Sequence, residues 1–507
     1  MARALSTSTV SEKKSIALPP QNPSLYQINT RIWLQELSTS LKRKAILNDI
    51  SDQQLDGLAD AGFDWIWLLG VWQTGPAGRK VSREKVQWQA EYHELLPDYR
   101  EQDISGSCFA IKQYEVHTDY GGNAALADLR ERLRQRGMRL LLDFVPNHTA
   151  LDHPWVEQHP EYYIRGNEDR LRREPQNYVR LKSASDSVIL AYGRDPNYPG
   201  WPDALQLNYA EPSLREAMRL QLANVAAMCD GVRCDMAMLV LPEVFERTWG
   251  SRPEPFWPSA IHNVRASRPD FLFLAEVYWD LEWALQQQGF DYTYDKRLFD
   301  RLRDGHVQPV RDHFRADPSF QQKSARFLEN HDEPRAAATF APEKHRAAAV
   351  LTYLCPGLRF FHEGQFEGRK IRVSNHLGRR QQEAIDAPLR DFYVRLLGCV
   401  RQPEAQSSDW QLLDCEPAWE GNWTRDCFIG FAWNTPGQRL IAVVNYAPNQ
   451  SQCYMHIPFG DLRGRSVLLQ DLMGPAAYER SGDELLARGL YLDMPEWGYH
   501  VFRVTAL

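Results

Sequence analysis

Along this chain, short apolar runs alternate with longer amphipathic stretches from residue 23 onward, and that alternation limits the fold more than any other feature. Residues 25–33 and 63–69 predict the first two strands, and 55–61 between them has helical spacing with Gly62 to end it. A Leu- and Arg-rich helix over 126–136 stops at Gly137 and leads into a third strand at 138–144. The helix over 214–228 repeats its apolar positions at the helical period. Further strands at 231–235, 271–275, 289–294, 324–328 and 358–361 bring the set to eight. Strands that alternate with helices call for a parallel sheet, because a parallel pair needs a crossover of helical length. Eight such units in about 370 residues predict a closed (β/α)8 TIM barrel with insertions, whose active face is the C-terminal end of the strands.

Two regions leave the pattern. Between the third strand and the next helix, residues 149–208 are rich in Pro, Tyr, Asn, Asp and Arg and carry little periodicity. A loop of about 60 residues in a compact domain is usually functional, so this stretch is expected to form a small domain B inserted over the barrel mouth. Past residue 402, strand-like runs at 428–433, 439–446, 452–457, 466–469 and 499–504 follow one another without a long helix, which predicts an antiparallel β-sandwich over 402–507. The barrel with its insertion is expected over 23–401. Residues 1–22 are polar, lack the apolar stretch of a secretory signal, and are expected to be a disordered leader.

Charge and cysteine usage narrow the partners and the compartment. The net charge is −7, with both signs interspersed and no long basic run, which argues against nucleic acid or an anionic membrane as partner. No run is long and apolar enough to span a bilayer. The eight cysteines form no metal-binding spacing and several sit inside apolar runs, so buried free thiols in a reducing cytoplasm are expected.

Four segments at predicted strand ends carry the chemistry: Asp143-Phe144-Val145-Pro146-Asn147-His148, Gly231-Val232-Arg233-Cys234-Asp235, Ala275-Glu276-Val277 and Glu329-Asn330-His331-Asp332. Retaining cleavage of a glycosidic bond needs one carboxylate to attack the anomeric carbon and a protonated carboxyl about 5–5.5 Å away to protonate the leaving oxygen. Asp235 and Glu276, ending the fourth and fifth strands, are candidates for that pair. Arg233 lies two residues before Asp235 and so faces the same way on a strand. Its guanidinium is expected to keep Asp235 ionised. Glu276 follows an apolar run, a setting that raises a carboxyl pKa and suits the acid. Asp332 is the candidate for stabilising the positively charged sugar, and His148 and His331 for binding its hydroxyls. Trp201 and Trp279, in predicted loops, are candidates for stacking on sugar rings. Taken singly, each has a plainer reading: a carboxylate after a strand is usually a cap or surface group, an arginine a salt-bridge partner, an Asn-His pair a turn. Four such segments in one order, all at strand ends, exceed coincidence.

These segments resemble the signatures of the α-amylase superfamily, glycoside hydrolase family 13. Residues 143–148 are similar to its D-x-V-x-N-H region, 231–235 to its G-x-R-x-D region and 330–332 to its Asn-His-Asp region, while Glu276 stands where the family carries its acid/base. Gln206-Leu207-Asn208 resembles the short region near the end of the family's domain B, and 361–368 its eighth-strand segment. The resemblance implies Asp235 as nucleophile, Glu276 as acid/base and Asp332 as transition-state stabiliser. It implies Arg233, His148 and His331 as parts of the subsite around the transferred sugar, with Asp143 in support. It requires no cofactor, and it makes Asn147 a candidate calcium ligand, because family calcium sites often use an Asn at that position.

The chain departs from the family on the leaving-group side. Family amylases often have Lys-His three and four residues after the nucleophile, where Met238 and Leu239 stand here. A Tyr that often stacks on the sugar aligns with Cys108 or Phe109. The expected function is a cytoplasmic retaining α-glucoside hydrolase acting on maltooligosaccharides or a small α-glucoside. A transglycosylase, α-glucan transferase or isomerase of the same fold would share the chemistry up to the covalent intermediate and differ in the acceptor. A barrel used only to bind sugar would be marked by loss of a catalytic carboxylate, and all three are present.

Overall fold

The computed structural model describes residues 20–182 and 187–507. Residues 1–19 of the expected leader lie outside the described residues. Eight parallel strands close into a barrel: β1 (Ser24–Asn29), β2 (Trp65–Leu69), β3 (Arg139–Phe144), β4 (Gly231–Cys234), β5 (Leu272–Ala275), β6 (Tyr292–Tyr294), β7 (Ser324–Arg326) and β8 (Leu358–His362). Each pairs with its neighbours in sequence, and β8 closes the ring against β1. The alternation therefore forms the barrel it predicts. Strands β2 and β8 are buried along their whole length, as strands covered on both faces must be.

The first strand is shorter than its apolar run. It ends at Asn29 instead of continuing to residue 33, because the Asn29 side chain accepts a hydrogen bond from the Ile32 N–H (3.3 Å) and caps a helix over Thr30–Leu41. Asn22, which the sequence assigns to the leader, is buried. Its Nδ2 donates to the Ser407 carbonyl (2.9 Å) and its Oδ1 accepts from the Gly357 N–H (3.0 Å), which ties the entry of β1 to the approach to β8. Gly231 opens β4 at a point where the adjacent strands leave no room: a Cβ there would lie 2.9 Å from side-chain atoms of both Leu141 and Leu272.

Three excursions leave the C-terminal ends of the strands. After β2, a ribbon of Trp72–Thr74 against Ile111–Val116 carries two helices, Pro76–Glu84 and Val86–Leu95, none of which the sequence pattern announces. After β3, four antiparallel strands form a sheet in the order His148–Ala150, Trp201–Gln206, Ser187–Gly193, Tyr178–Lys182. After β8, residues 363–386 run in irregular structure.

Beyond the barrel, six antiparallel strands assemble in the order Trp410–Leu413, Phe428–Thr435, Gln438–Asn445, Tyr499–Ala506, Ser466–Asp471, Ala477–Ser481. A second sheet holds Cys415–Glu416, Ser451–Met455 and Leu490–Met494. Phe428, Ile441, Val443, Cys453, Met455 and Leu492 share one apolar core. Residues alternating with them, Phe431, Trp433, Leu440 and Val444, belong to the barrel's core instead. Seven of the eight cysteines are buried and Cys415 is half-buried. Among the described residues, no helix is long and apolar enough to cross a membrane.

Candidate active site

The register of β3, β4 and β5 assembles the site. Arg233 on β4 stands opposite Asp143 on β3 and Leu274 on β5. Asp235 and Glu276 follow directly on the ends of β4 and β5, and their amides extend the ladder, Asp235 N–H to the Phe144 carbonyl (2.9 Å) and Glu276 N–H to the Cys234 carbonyl (3.0 Å). Their side chains therefore leave adjacent strand ends at the same level.

Arg233 is fully buried beneath them. Its Nη1 lies 2.7 Å from Asp235 Oδ1 and its Nη2 2.6 Å from Glu276 Oε2, with Asp143 Oδ1 at 3.6 Å. Its Nε donates to the Tyr294 hydroxyl (3.3 Å), and its guanidinium lies over the rings of Trp67 and Phe109 at 5.3 and 5.2 Å. The guanidinium expected to mark Asp235 thus serves both carboxylates and does not by itself separate a nucleophile from an acid. Burial is the largest influence on Asp235 and pushes its carboxyl up, against the pull of Arg233. Burial likewise pushes Glu276 up to about 7, again against Arg233 and with the charges of Asp235 and Asp332 adding to the rise. Glu276 also accepts from the Tyr278 hydroxyl (2.9 Å, Oε1) and the Met236 N–H (2.7 Å, Oε2).

Asp332 is the most open of the three, with 36% of its side chain exposed. Enclosure by its surroundings would raise its carboxyl, but the His331 imidazole, Arg233 and Asn375 outweigh that and hold it well below the usual carboxylate range. His331 Nε2 lies 3.0 Å from Asp332 Oδ2, while its Nδ1 is 2.8 Å from Gln27 Nε2, an amide on β1 that fixes the ring's orientation. Asn375 Nδ2 donates to Asp332 Oδ1 (3.1 Å). Asp143 is held from the β2 side: its Oδ2 accepts from the Gly70 N–H (2.9 Å) and its carbonyl from Trp72 Nε1 (2.8 Å). Gly70 adopts φ +75°, and a Cβ there would come within 2.7 Å of Cys108.

A cavity of about 330 Å³ opens over these groups. Asp235, Glu276, Asp332 and His148 line it, whereas Arg233, Asp143 and His331 do not; Arg233 and His331 meet the carboxylates from behind the cavity wall, and Asp143 stands behind Arg233. Burial pushes His148 down to about 4, which makes it a neutral imidazole at neutral pH. Trp201 lines the cavity 5.2 Å from the His148 ring, as a sugar-stacking residue would, but Trp279 does not line it and lies under Arg247. Of the two residues aligned with the family's Tyr, Phe109 lines the cavity and Cys108 is buried. Met238 and Leu239 are buried in the turn Ala237–Val240, and Met236 meets the cavity in their place. Tyr278, Asn375, Gln27 and Tyr294 are partners of the site that the sequence pattern did not reveal; only Tyr278, two residues past Glu276, stood close to a recognised segment.

Asn147 does not fit a calcium ion. Its Oδ1 accepts from Gln206 Nε2 (2.9 Å) and its Nδ2 donates to Gln206 Oε1 (3.2 Å), so both ends of the amide are engaged by another neutral amide. No cluster of three or more acidic, His or Cys groups suited to a metal occurs among the described residues, and a hard cation needs several oxygen ligands, carboxylates chief among them.

The arrangement has known relatives. Residues 47–387 match the family model for the α-amylase catalytic domain. The chain belongs to the α-amylase family. It is 26% identical over 438 residues to an α-amylase of Haloarcula japonica, covering 83% of this chain and 55% of that protein. It is 26% identical over 302 residues to an α-1,4-glucan:maltose-1-phosphate maltosyltransferase of Burkholderia pseudomallei, covering 56% of this chain and 22% of that one. The chain spans about half the length of the first two curated relatives it matches. Among solved structures, a noncanonic maltogenic α-amylase from Thermotoga neapolitana shares the fold with a TM-score of 0.68 at 18% identity, covering 96% of this chain and 99% of that one. An α-amylase from Lactobacillus plantarum does so with a TM-score of 0.66 at 21% identity, covering 95% and 99%.

Proposed function

We propose that this α-amylase family member is a retaining α-glucoside hydrolase that acts by double displacement on maltooligosaccharides or a small α-glucoside. The observation that carries this reading is the bridge of one guanidinium, Arg233, to Asp235 and Glu276 at 2.7 and 2.6 Å. Carboxylates spanned by a single planar fork suit the separation of about 5–5.5 Å used for retention rather than the roughly 6.5–9.5 Å that leaves room for a water on the far face. Asp235 attacks the anomeric carbon as the glycosidic C–O bond breaks, and Glu276 gives its proton to the departing oxygen. Glu276, now a carboxylate, takes a proton from the incoming water, whose oxygen displaces Asp235 from the ester. Asp332, kept ionised by His331, Arg233 and Asn375, offsets the positive charge on the sugar in both transition states.

Proton NMR of the anomer released first tests the reading. Retention predicts the α-anomer, and a first-formed β-anomer would overturn it. Asp235→Asn should cost about a thousand-fold or more in kcat with the fold intact.

Transfer to a sugar acceptor is a second reading, favoured by Met236, which gives the cavity an apolar wall beside Glu276, and by the maltosyltransferase relative. New longer or rearranged sugars in the products of a maltooligosaccharide, trehalose or sucrose digest would establish it. A cytoplasmic setting belongs to the same proposal, supported by the burial of seven of the eight cysteines.

A further inference from the structure

A second cavity, of about 860 Å³, opens between the helix Thr30–Leu41 after β1 and the ribbon and helices after β2. No step of the chemistry above uses it. Arg31, Lys44, Arg79 and His117 line it, and Asp103 and Asp119 are its only carboxylates among the described residues. Both carboxylates are already paired, Asp103 with Arg379 (3.0 Å) and Asp119 with Lys44. The two guanidiniums are not. Arg31 Nη1 donates to the carbonyls of Gly106 (2.8 Å) and Asn375 (3.3 Å), and its Nε to the Tyr120 hydroxyl (3.5 Å). Arg79 Nε donates to the Ser105 carbonyl (3.5 Å). These acceptors are neutral, and among the described residues neither arginine forms an ion pair with a carboxylate.

Bonds to the carbonyls of consecutive residues hold the two guanidiniums close together. The His117 ring feels both: burial pushes its imidazole down, against Asp119, and Arg31, Arg79 and Lys44 add to the fall. Its Nδ1 accepts from the Asp119 N–H (3.1 Å), so the neutral ring carries its proton on Nε2 and is a donor there. Two unbalanced guanidiniums beside a ring N–H suit a dianion. A phosphate group carries a charge of about −1.5 to −2 near neutral pH, and its oxygens match the planar fork of each arginine. A carboxylate carries one charge and would leave one arginine unmatched. Gln35, Ser38, Thr74 and Gln102 make the rest of the wall polar, as a phosphate borne on a hydroxylated molecule requires.

The cavity backs on the catalytic one. Ser105 lines the first and Ser107 the second, and the N–H groups of Ser105 and Gly106 both donate to the His376 carbonyl (2.8 and 3.2 Å). Asn375, whose carbonyl Arg31 holds, donates its side-chain amide to Asp332 (3.1 Å).

We propose that Arg31, Arg79 and His117 form a regulatory site for a phosphate group, free or carried on a sugar, which acts on Asp332 through the contact of Arg31 with Asn375. A bound phosphate competes with the Asn375 carbonyl for the Arg31 guanidinium, so occupancy loosens Asn375 beside Asp332 and lowers kcat.

Titration calorimetry with inorganic phosphate, glucose 6-phosphate and glucose reads the site without turnover. Salt at about 0.15 M screens loose ion pairing. Glucose 6-phosphate should bind at least about ten-fold more tightly than glucose, and its comparison with inorganic phosphate tells which source the site takes. Arg79 is exposed, so Arg79→Gln should fold normally and weaken phosphate binding about ten-fold, the worth of a charge-assisted hydrogen bond. Arg31→Lys keeps the charge but loses the fork, and should weaken it too. A loss of under about two-fold in both variants, or glucose that binds as tightly as its phosphate, overturns the site. Saturating phosphate should lower wild-type kcat on maltotriose by about two-fold or more and leave kcat of Arg79→Gln at its phosphate-free value. Binding that leaves wild-type kcat unchanged overturns the reach to Asp332. A wild type that binds phosphate yet cleaves no α-glucoside upholds the site and rejects the hydrolase.

Discussion

Glu276 must hold a proton to act as an acid, and its surroundings compete for that proton. Burial pushes its carboxyl up to about 7, while Arg233 and the Met236 N–H pull it down. The acid form is present below that value and is lost as pH rises through it. Asp235, the proposed nucleophile, needs the opposite state. Its carboxyl is raised by burial against Arg233, so the nucleophile is lost as pH falls through a value above the ordinary carboxylate one. The two groups interact, and the limbs of the profile belong to the pair. A bell-shaped kcat/KM profile with its alkaline limb near 7 is expected. Tyr278→Phe removes the donor to Glu276 Oε1. That bond favours the ionised form, so its loss should carry the alkaline limb upward by up to about one pH unit. A limb that stays in place, read from the same profile, would show that Tyr278 does not act on this proton. Asp235, Glu276 and Asp332 were legible in the sequence because each closes or closely follows a short apolar strand. Gln27, Tyr294 and Asn375 were not, since nothing local in a polar side chain announces which distant group it will face.

Strand β4 shows how tightly an element can tie stability to the site. Arg233 and Asp235 both depend on it, and Gly231 at its start is pressed between Leu141 and Leu272. Gly231→Ala would wedge β3 and β5 apart, a cost of about 1–3 kcal/mol, and would shift the guanidinium that bridges the two carboxylates. Gly122 offers the contrast: it has φ +69° at the start of the helix Gly122–Gln135, and a Cβ there would meet no atom within 4 Å. Gly122→Ala should cost about 1–2 kcal/mol of backbone strain and leave kcat/KM alone. Melting temperature and kcat/KM measured on both variants check this, since only Gly231→Ala should lower the two together. The strand cores and most of their C-terminal ends could be read from their apolar runs, with the end of β1 the exception. A helix cap at Asn29 ended β1 four residues early, and the ribbon and helices after β2 lacked a clean period. Ala477–Ser481 is exposed throughout, so it carries no apolar alternation to betray a strand.

At the scale of the whole chain, the change of texture near residue 402 suggested a separate domain, yet the packing joins the two parts. Phe431, Trp433, Leu440 and Val444 lie in the barrel's core, Trp433 Nε1 donates to the Leu354 carbonyl (2.8 Å), and the Tyr446 hydroxyl donates to the Leu302 carbonyl (2.7 Å). The signal for this was present in 428–433, Phe-Ile-Gly-Phe-Ala-Trp, which is apolar at nearly every position. A strand wetted on one face alternates, and one covered on both faces does not. One shared core means that neither part can expose that face without unfolding the contact, so calorimetry of the full chain should show a single cooperative transition. Trp433→Ala removes both the packing and the hydrogen bond, a loss of about 3–5 kcal/mol, and should lower that transition as a whole. Trp433→Phe keeps most of the apolar contact and should cost less. Two resolved transitions in the wild type, with Trp433→Ala moving only one of them, would mean that the sandwich and the barrel are stable independently and merely touch.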